Sequence, residues 1–259
     1  FGEYILEDLQ NATYVAEQDR QDCYLGTELK GHIYQKYLPG QFFTLNGKYY
    51  EMVGVATGNR ILVRRASEYI SGRLAFRQVR NYTISRLENS QAMGDLKTIN
   101  GILIYNQFAD FSVATSGYWR LQAYNAFHTG SLIELNGIPT REYHNKQILR
   151  LDFSQLGDGF TDEVRVTLTN LLNEVFVTLF ADNAPFISAV TPGEHKLPLT
   201  YHLHIADSEE NLGKSIFIVE DSQLDLGLLI AVERNIHRIL QIISDYLAWN
   251  QEQIVESQK

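Results

Sequence analysis

Apolar and polar positions change rhythm along this chain. From about residue 24 to 150 they mostly alternate two apart, in short runs broken by Asn-Gly and Gly-Asn pairs. After about residue 150 they recur three and four apart in two long stretches. Alternation marks strands and the second spacing marks amphipathic helices. The sharpest local signal is Gln41–Leu45, then Asn46-Gly47, then Lys48–Val53. Asn-Gly supplies the two positive φ angles of a type I′ turn. A two-residue loop pairs Leu45 with Lys48 and Phe43 with Tyr50, which puts Phe43, Leu45, Tyr50 and Met52 on one face, expected to be buried.

Further strands are expected at residues 60–65, after the turn Gly58-Asn59, and at 78–84. Residues 101–105, 111–114 and 118–124 read as short aromatic strands and 151–153 as another, with residues 89–100 a polar loop between. Thr161 and Asp162 stand where a helix N-cap belongs. Val164, Leu168, Leu171, Leu172, Val175, Phe176 and Leu179 follow at helical spacing, and Asp182-Asn183-Ala184-Pro185 ends that helix. Residues 203–205 and 216–219 read as buried strands. Leu228, Leu229, Val232, Ile236, Ile239, Leu240, Ile243 and Leu247 form one stripe of a second long helix.

The pattern gives an α+β chain, a β-rich N-terminal module followed by an α/β lobe with two long amphipathic helices. Four segments follow: an acidic, helical lead-in over 1–23, a basic β-rich module over 24–150, a helix-strand-strand-helix lobe over 151–250, and a polar tail over 251–259. The chain opens Phe1-Gly2-Glu3 and is read as a piece of a longer polypeptide. The single Cys23 excludes an intramolecular disulfide and a cysteine-cluster zinc site, and fits a reducing, cytoplasmic setting. No uninterrupted apolar run approaches about 18 residues, so no membrane partner is expected.

Charge changes the picture most. Residues 30–90 hold ten Lys/Arg against Glu51, Glu68 and Glu88, a net +7, whereas the other 198 residues carry 12 basic and 28 acidic side chains. Charge separated in this way suits a polyanion-facing surface. Guanidinium groups neutralise phosphates and interleaved aromatic rings stack on bases. The candidate contacts to single-stranded nucleic acid, with DNA as first choice, are Lys48, Tyr49, Arg64, Arg65, Tyr69, Arg73, Arg77 and Arg80, brought together from two strands and a loop. The same mixture also describes an ordinary solvated amphipathic sheet.

Other chemistry is thin. The sequence has no GxxxxGK[ST] phosphate loop, GxGxxG, GxSxG or HExxH, so no catalytic residue is assigned and no ATPase activity is expected of this chain. His202 and His204 share one side of a strand and would need Asp207 or His195 to complete a metal site. Polar positions on a half-exposed strand explain them without one. The pairs Glu209-Glu210 and Glu220-Asp221 read as solvated edges.

Several segments resemble a known family. Leu38–Val53 is similar to the PG-hydrophobic-G-x-x-Y-x-V hairpin in the C-terminal accessory, MZB-type region of mitomycin-repair DEAD/DEAH-box helicases. Residues 61–69 resemble its next strand and tyrosine-bearing loop, and Ser116-Gly117-Tyr118-Trp119 its GY/GF strand. Residues 149–153 and 166–172 resemble its strand and HALEHLL-like helix, and residues 216–221 with Gly227-Leu228 its IFIYD strand and helix start. The order is kept over most of residues 32–248. The resemblance implies a non-catalytic accessory region beside upstream helicase motor domains, with ATP and Mg in the motor and no cofactor here. The family's four zinc cysteines are missing, its helix-start His is replaced at Val166 or Thr167, and its Gly-rich turn is reduced to residues 222–227. Zinc is therefore not carried over. The alternative is a protein–protein module of a bacterial repair or phage-defence complex, suggested by the acidic half after residue 150 with its 17 acidic and 6 basic side chains. A free-standing enzyme using His202 and His204 is the third reading.

Overall fold

The computed structural model describes residues 11–18, 21–57, 59–67, 74–88, 97–122, 130–193, 201–206 and 212–257. The chain divides into two compact units, Phe1–Asn81 with Val113–Arg141, and Tyr82–Ser112 with Glu142–Lys259. Neither is one continuous stretch of sequence. The class is α+β, β-rich toward the N-terminus with the long helices after it.

In the first unit a five-stranded sheet runs in the order β2-β1-β5-β4-β3. Its strands are β1 (Asn11–Gln18), β2 (Gln21–Leu29), β3 (Phe42–Leu45), β4 (Lys48–Ala56) and β5 (Arg60–Arg65). The helical lead-in expected over 1–23 is corrected for residues 11–18 and 21–23, which form β1 and part of β2, while residues 1–10 lie outside the described residues. β1 gains partners on both sides, antiparallel β2 and parallel β5. Two ladders of backbone hydrogen bonds hold residues 11–18 extended.

The β3–β4 hairpin forms as the Asn-Gly pair dictates. Asn46 and Gly47 take φ of 50° and 71°, and the register is Phe43 with Tyr50 and Leu45 with Lys48. Phe43, Tyr50 and Met52 are buried with Ile61, Val63 and Ile33, the last from the short helix α1 (Ile33–Lys36), while Leu45 packs partly buried against them. Two long strands follow, β6 (Leu74–Leu87) and β8 (Ile102–Gln122), and each gives part of its length to each unit. The three short strands expected between 101 and 124 are one strand of 21 residues. A strand interrupted by Gly and Ser keeps going when neighbours continue the ladder.

Gly117 lies inside β8 opposite Glu134 of β9 (Gly130–Glu134). Its φ is +151°, and a Cβ there would stand 2.1 Å from the Ile133 carbonyl oxygen. That neighbour is backbone in the paired strand, so it cannot step aside. Gly117→Ala is expected to lower stability by about 2 kcal/mol and loosen β9. Thermal unfolding with amide exchange on β9 checks this, and an unchanged melting temperature would count against it.

The second unit holds the sheet order β11-β13-β10-β8-β6-β12, with the short β7 (Lys97–Ile99) paired to β8. The remaining strands are β10 (Arg141–Asp152), β11 (Ile187–Val190), β12 (Tyr201–Ile205) and β13 (Ser215–Glu220). β13 lies between β11 and β10 and all six of its residues are buried. Leu149, Leu151, Ile187, Ala189, Ile216 and Ile218 share one face by alternation and join the core under two helices. These are α2 (Asp162–Phe180) and α3 (Leu228–Ser257). Thr161 caps α2 through its hydroxyl, which accepts from the Val164 amide. The buried face of α2 is Val166, Thr169, Leu172, Val175 and Phe176, turned from the expected one, so Val164 and Leu179 are exposed. Asn173 on α2 accepts from the Ala189 amide at 2.8 Å and donates to the Ala189 carbonyl at 2.9 Å. It occupies backbone groups that the edge strand β11 would otherwise leave open.

By length and composition Asp162–Phe186 is apolar enough to cross a membrane, which the count of uninterrupted apolar runs did not register. Only 28% of its apolar window is buried: Leu172, Val175 and Phe176 lie in the unit's central cluster, while Val164, Val177 and Leu179 are exposed.

Candidate nucleic-acid interface

The basic candidates of the first unit do not converge as one group. Side chains two apart on β4 share a face, so Tyr50 and Met52 turn to the core and Tyr49 and Glu51 to the other side. Arg64 of β5 lies opposite Glu51 and so shares that outer face. Its guanidinium holds the Glu51 carboxylate at 2.6 Å with the arginine side chain 70% exposed. An exposed ion pair is worth about 0–1 kcal/mol and gives way to a competing anion. Tyr49 is half-buried between Thr44 of β3 and Ala66, whose amide donates to the Tyr49 carbonyl at 2.9 Å. Arg65 and Lys48 are both exposed, Arg65 opposite Tyr50 near the end of β5 and Lys48 beside the hairpin turn. The structure thus places all four on one hairpin and its neighbouring strand but on two sides, Tyr49 and Arg64 on the outer one and, by alternation, Lys48 and Arg65 on that of Tyr50.

Arg80 is corrected. It is 2% exposed and its guanidinium is spent inside the unit, donating to the Gln35 carbonyl at 2.8 Å and to the Gln78 side-chain oxygen at 2.9–3.0 Å. On β6, Phe76, Gln78 and Arg80 alternate onto one side, where Phe76 meets the rings of Phe42 and Tyr118. Arg77 alternates to the opposite side and is exposed. Tyr69 and Arg73 lie outside the described residues.

Other charges of the basic stretch are also engaged. Lys36 holds Glu28 at 2.5 Å in the first unit, and Arg86, in the second, faces Asp110 at 3.1 Å and Glu88 at 3.6 Å. Net charge counted along the sequence therefore overstates the charge one surface presents.

His202 and His204 share one exposed face of β12 with Leu203 buried between them. His195 and Asp207 lie outside the described residues, and no group of three potential ligands is found among the described ones.

Glu220 and Asp221 are not a solvated edge, and that expectation is corrected. They are 7% and 0% exposed at the end of β13. Tyr143 donates to Asp221 at 2.5 Å. The two oxygens of Glu220 accept from the Leu226 and Leu228 amides at 2.6 and 2.9 Å, which closes the start of α3. Burial raises the Glu220 carboxyl above the ordinary range, Asp225 adds to that, and the two amides and Lys146 work against it. Lys146 is lowered, mainly by burial, and donates to the Gln223 carbonyl at 3.1 Å. The sequence signal for this network was available: two acids directly after an unbroken apolar strand and six residues before a helix start.

No family model matches this chain, and no curated protein matches it. Among solved structures, the crystal structure of the DUF1998 helicase MrfA aligns over 90% of this chain with a TM-score of 0.52 at 10% identity. The same helicase bound to DNA gives 0.41 at 10% identity, and bound to DNA and AMPPNP 0.34 at 11%. The chain spans 29% of the MrfA chain in the first of these. The likeness is one of fold: this chain is built like a region of that helicase.

Proposed function

We propose that this chain is a non-catalytic, nucleic-acid-binding accessory region of a larger superfamily-two helicase. Its contact surface is the outer side of the β3–β4 hairpin and β5. The observation that carries the reading is the placement of Tyr49 and Arg64 on one face, with Lys48 and Arg65 exposed at the strand ends on the side of Tyr50. A base-stacking ring among phosphate-neutralising cations is what a single strand requires. The fold shared with a region of MrfA supports the helicase context, and the MZB-type assignment, superfamily two and DNA as the strand belong to this proposal. ATP and Mg act in the motor portion that such a helicase carries besides this region. Arg77 is kept as a contact, as are Tyr69 and Arg73, which lie outside the described residues.

The test is fluorescence anisotropy with labelled single-stranded DNA across a salt series. Each phosphate neutralised contributes a slope of about −0.7. Replacing Arg64 and Arg65 together by Ala is expected to flatten the slope by about 1.4 units and to weaken all sequences alike. Tyr49→Ala should cost about 1–3 kcal/mol with the slope unchanged. Wild-type chain that does not bind, or a double variant that binds like it, transfers the case to the interaction module of a repair or defence complex. Val177, Tyr246, Leu247 and Trp249, large apolar side chains exposed on α2 and α3, favour that second reading.

A further inference from the structure

The turn between β7 and β8 is Asn100-Gly101, with φ of 50° and 82°, and it joins Ile99 to Ile102, both in the core of the second unit. An Asn-Gly pair fixes such a turn at both central positions. Between it and the flank of α3 lies a cleft of about 410 Å³, lined by Asn100, His237, Arg238, Leu240, Gln241 and Ser244. All but Leu240 are exposed. None belongs to the surface proposed above.

The charge here runs against its surroundings. Residues 151–259 carry 17 acidic and 6 basic side chains. Lys196 and Lys259 lie outside the described residues. Arg165 faces Asp162 at 3.0 Å, and Lys214 donates to the Gly157 carbonyl at 2.6 Å. The other two, Arg234 and Arg238, are exposed and stand four apart on α3, so they share a face, with His237 beside them. Among the described residues none of these three meets a hydrogen-bond or ion-pair partner. Like charges one turn apart work against a helix, so helix stability does not account for the pair. Between Leu228 and Gln251, α3 carries two carboxylates, and both are engaged. Lys97 of β7 holds Glu233, and the Gln241 amide donates to Asp245 at 2.7 Å.

We infer that this cleft, with the Arg234–Arg238 face, is a second contact for single-stranded nucleic acid, made to the sugar–phosphate backbone. It rests on the nucleic-acid reading above and adds a site in the second unit. Free guanidinium groups make forked, charge-assisted contacts to phosphate. Asn100, Gln241 and Ser244 supply the neutral hydrogen-bonding groups that meet phosphate and sugar oxygens. No aromatic ring lines the cleft, so it positions a strand without stacking or reading bases. His237 to Ser244 span about 10 Å of helix. An open flank of that length suits a chain passing along it, whereas a small-molecule site encloses most of its ligand.

Fluorescence anisotropy on the full chain, with labelled single-stranded DNA across a salt series, tests this. Arg234→Ala combined with Arg238→Ala should flatten the salt slope by about 1.4 units and weaken binding roughly tenfold or more at 0.1 M salt, for all sequences alike. The same two positions changed to Lys should keep the slope, since each retains its charge. Both side chains are exposed, so the melting temperature should stay at the wild-type value. The ring protons of His237, assigned with His237→Gln, should shift on adding DNA to the wild type and to the Arg64→Ala, Arg65→Ala variant. The inference is overturned if the Ala pair binds with the wild-type slope, if the Lys pair loses as much slope as the Ala pair, or if the His237 signals stay in place. Flattening by the Arg64 and Arg65 changes alone keeps the hairpin surface and rejects this one. Flattening by the Arg234 and Arg238 changes alone does the reverse. A wild-type chain that binds no DNA rejects both.

Discussion

A chain ending at Val219 does not form the second unit. α3 places Leu228, Leu229, Val232, Ile236, Ile239 and Ile243 in the core, each 5% exposed or less. Burying one such side chain is worth roughly 1.5–3 kcal/mol, so the six together supply about 9–18 kcal/mol. A whole domain is stable by only about 5–15 kcal/mol. Without the helix, Leu149, Leu151, Ile216 and Ile218 also lose part of their cover. The expected outcome is loss of a cooperative unfolding transition for this unit, with exposed apolar surface and aggregation. A soluble 1–219 chain showing two cooperative transitions would refute the packing role assigned to α3.

The second large effect is at Glu220. Glu220→Ala removes the acceptor of two amides at the start of α3, one of them fully enclosed. Hydrogen bonds to charged groups contribute about 1.5–3 kcal/mol each, so the expected loss is about 3–6 kcal/mol. The pH dependence has a defined sign. Burial raises the folded-state carboxyl above its unfolded value. The folded protein then holds a proton that the unfolded chain has released, and stability falls with rising pH across that window. The contribution is fully present below the ordinary carboxylate range and is lost above the raised value. Glu220→Gln lacks this titration, so its stability relative to wild type should improve as pH rises from acid to neutral. Urea unfolding at several pH values measures it. A Gln variant that falls further behind wild type toward neutrality would show that the two amides and Lys146 outweigh burial.

The candidate surface was legible in part. Lys48, Tyr49, Arg64 and Arg65 sit within an Asn-Gly hairpin and the next strand, where a period of two and a fixed turn length determine register and face. Arg80 was not legible, because its fate depends on Gln35, 45 residues away. Arg165 was missed for the same reason: a basic residue one turn into a helix reads as solvated, and its burial is set by tertiary packing. Glu220 and Asp221 read as a polar edge because the apolar stripe of α3 says nothing about where its first turn lands.

The amino-acid pattern by itself determined the elements with strong local chemistry: the hairpin with its pairing, β5, the capped α2, the buried β13 and the stripe of α3 as far as Ile243, Leu240 being partly buried and Leu247 exposed. Each rests on interactions within a few residues, so neighbours in sequence suffice. Only the tertiary structure decided that residues 11–18 are a strand, that β8 is unbroken, and that each unit draws on two separate stretches of chain. It also decided which charges are spent inside. Those outcomes depend on hydrogen-bond partners and burial supplied by residues distant in sequence, and a ladder or a desolvated charge has no signature in the residue that bears it.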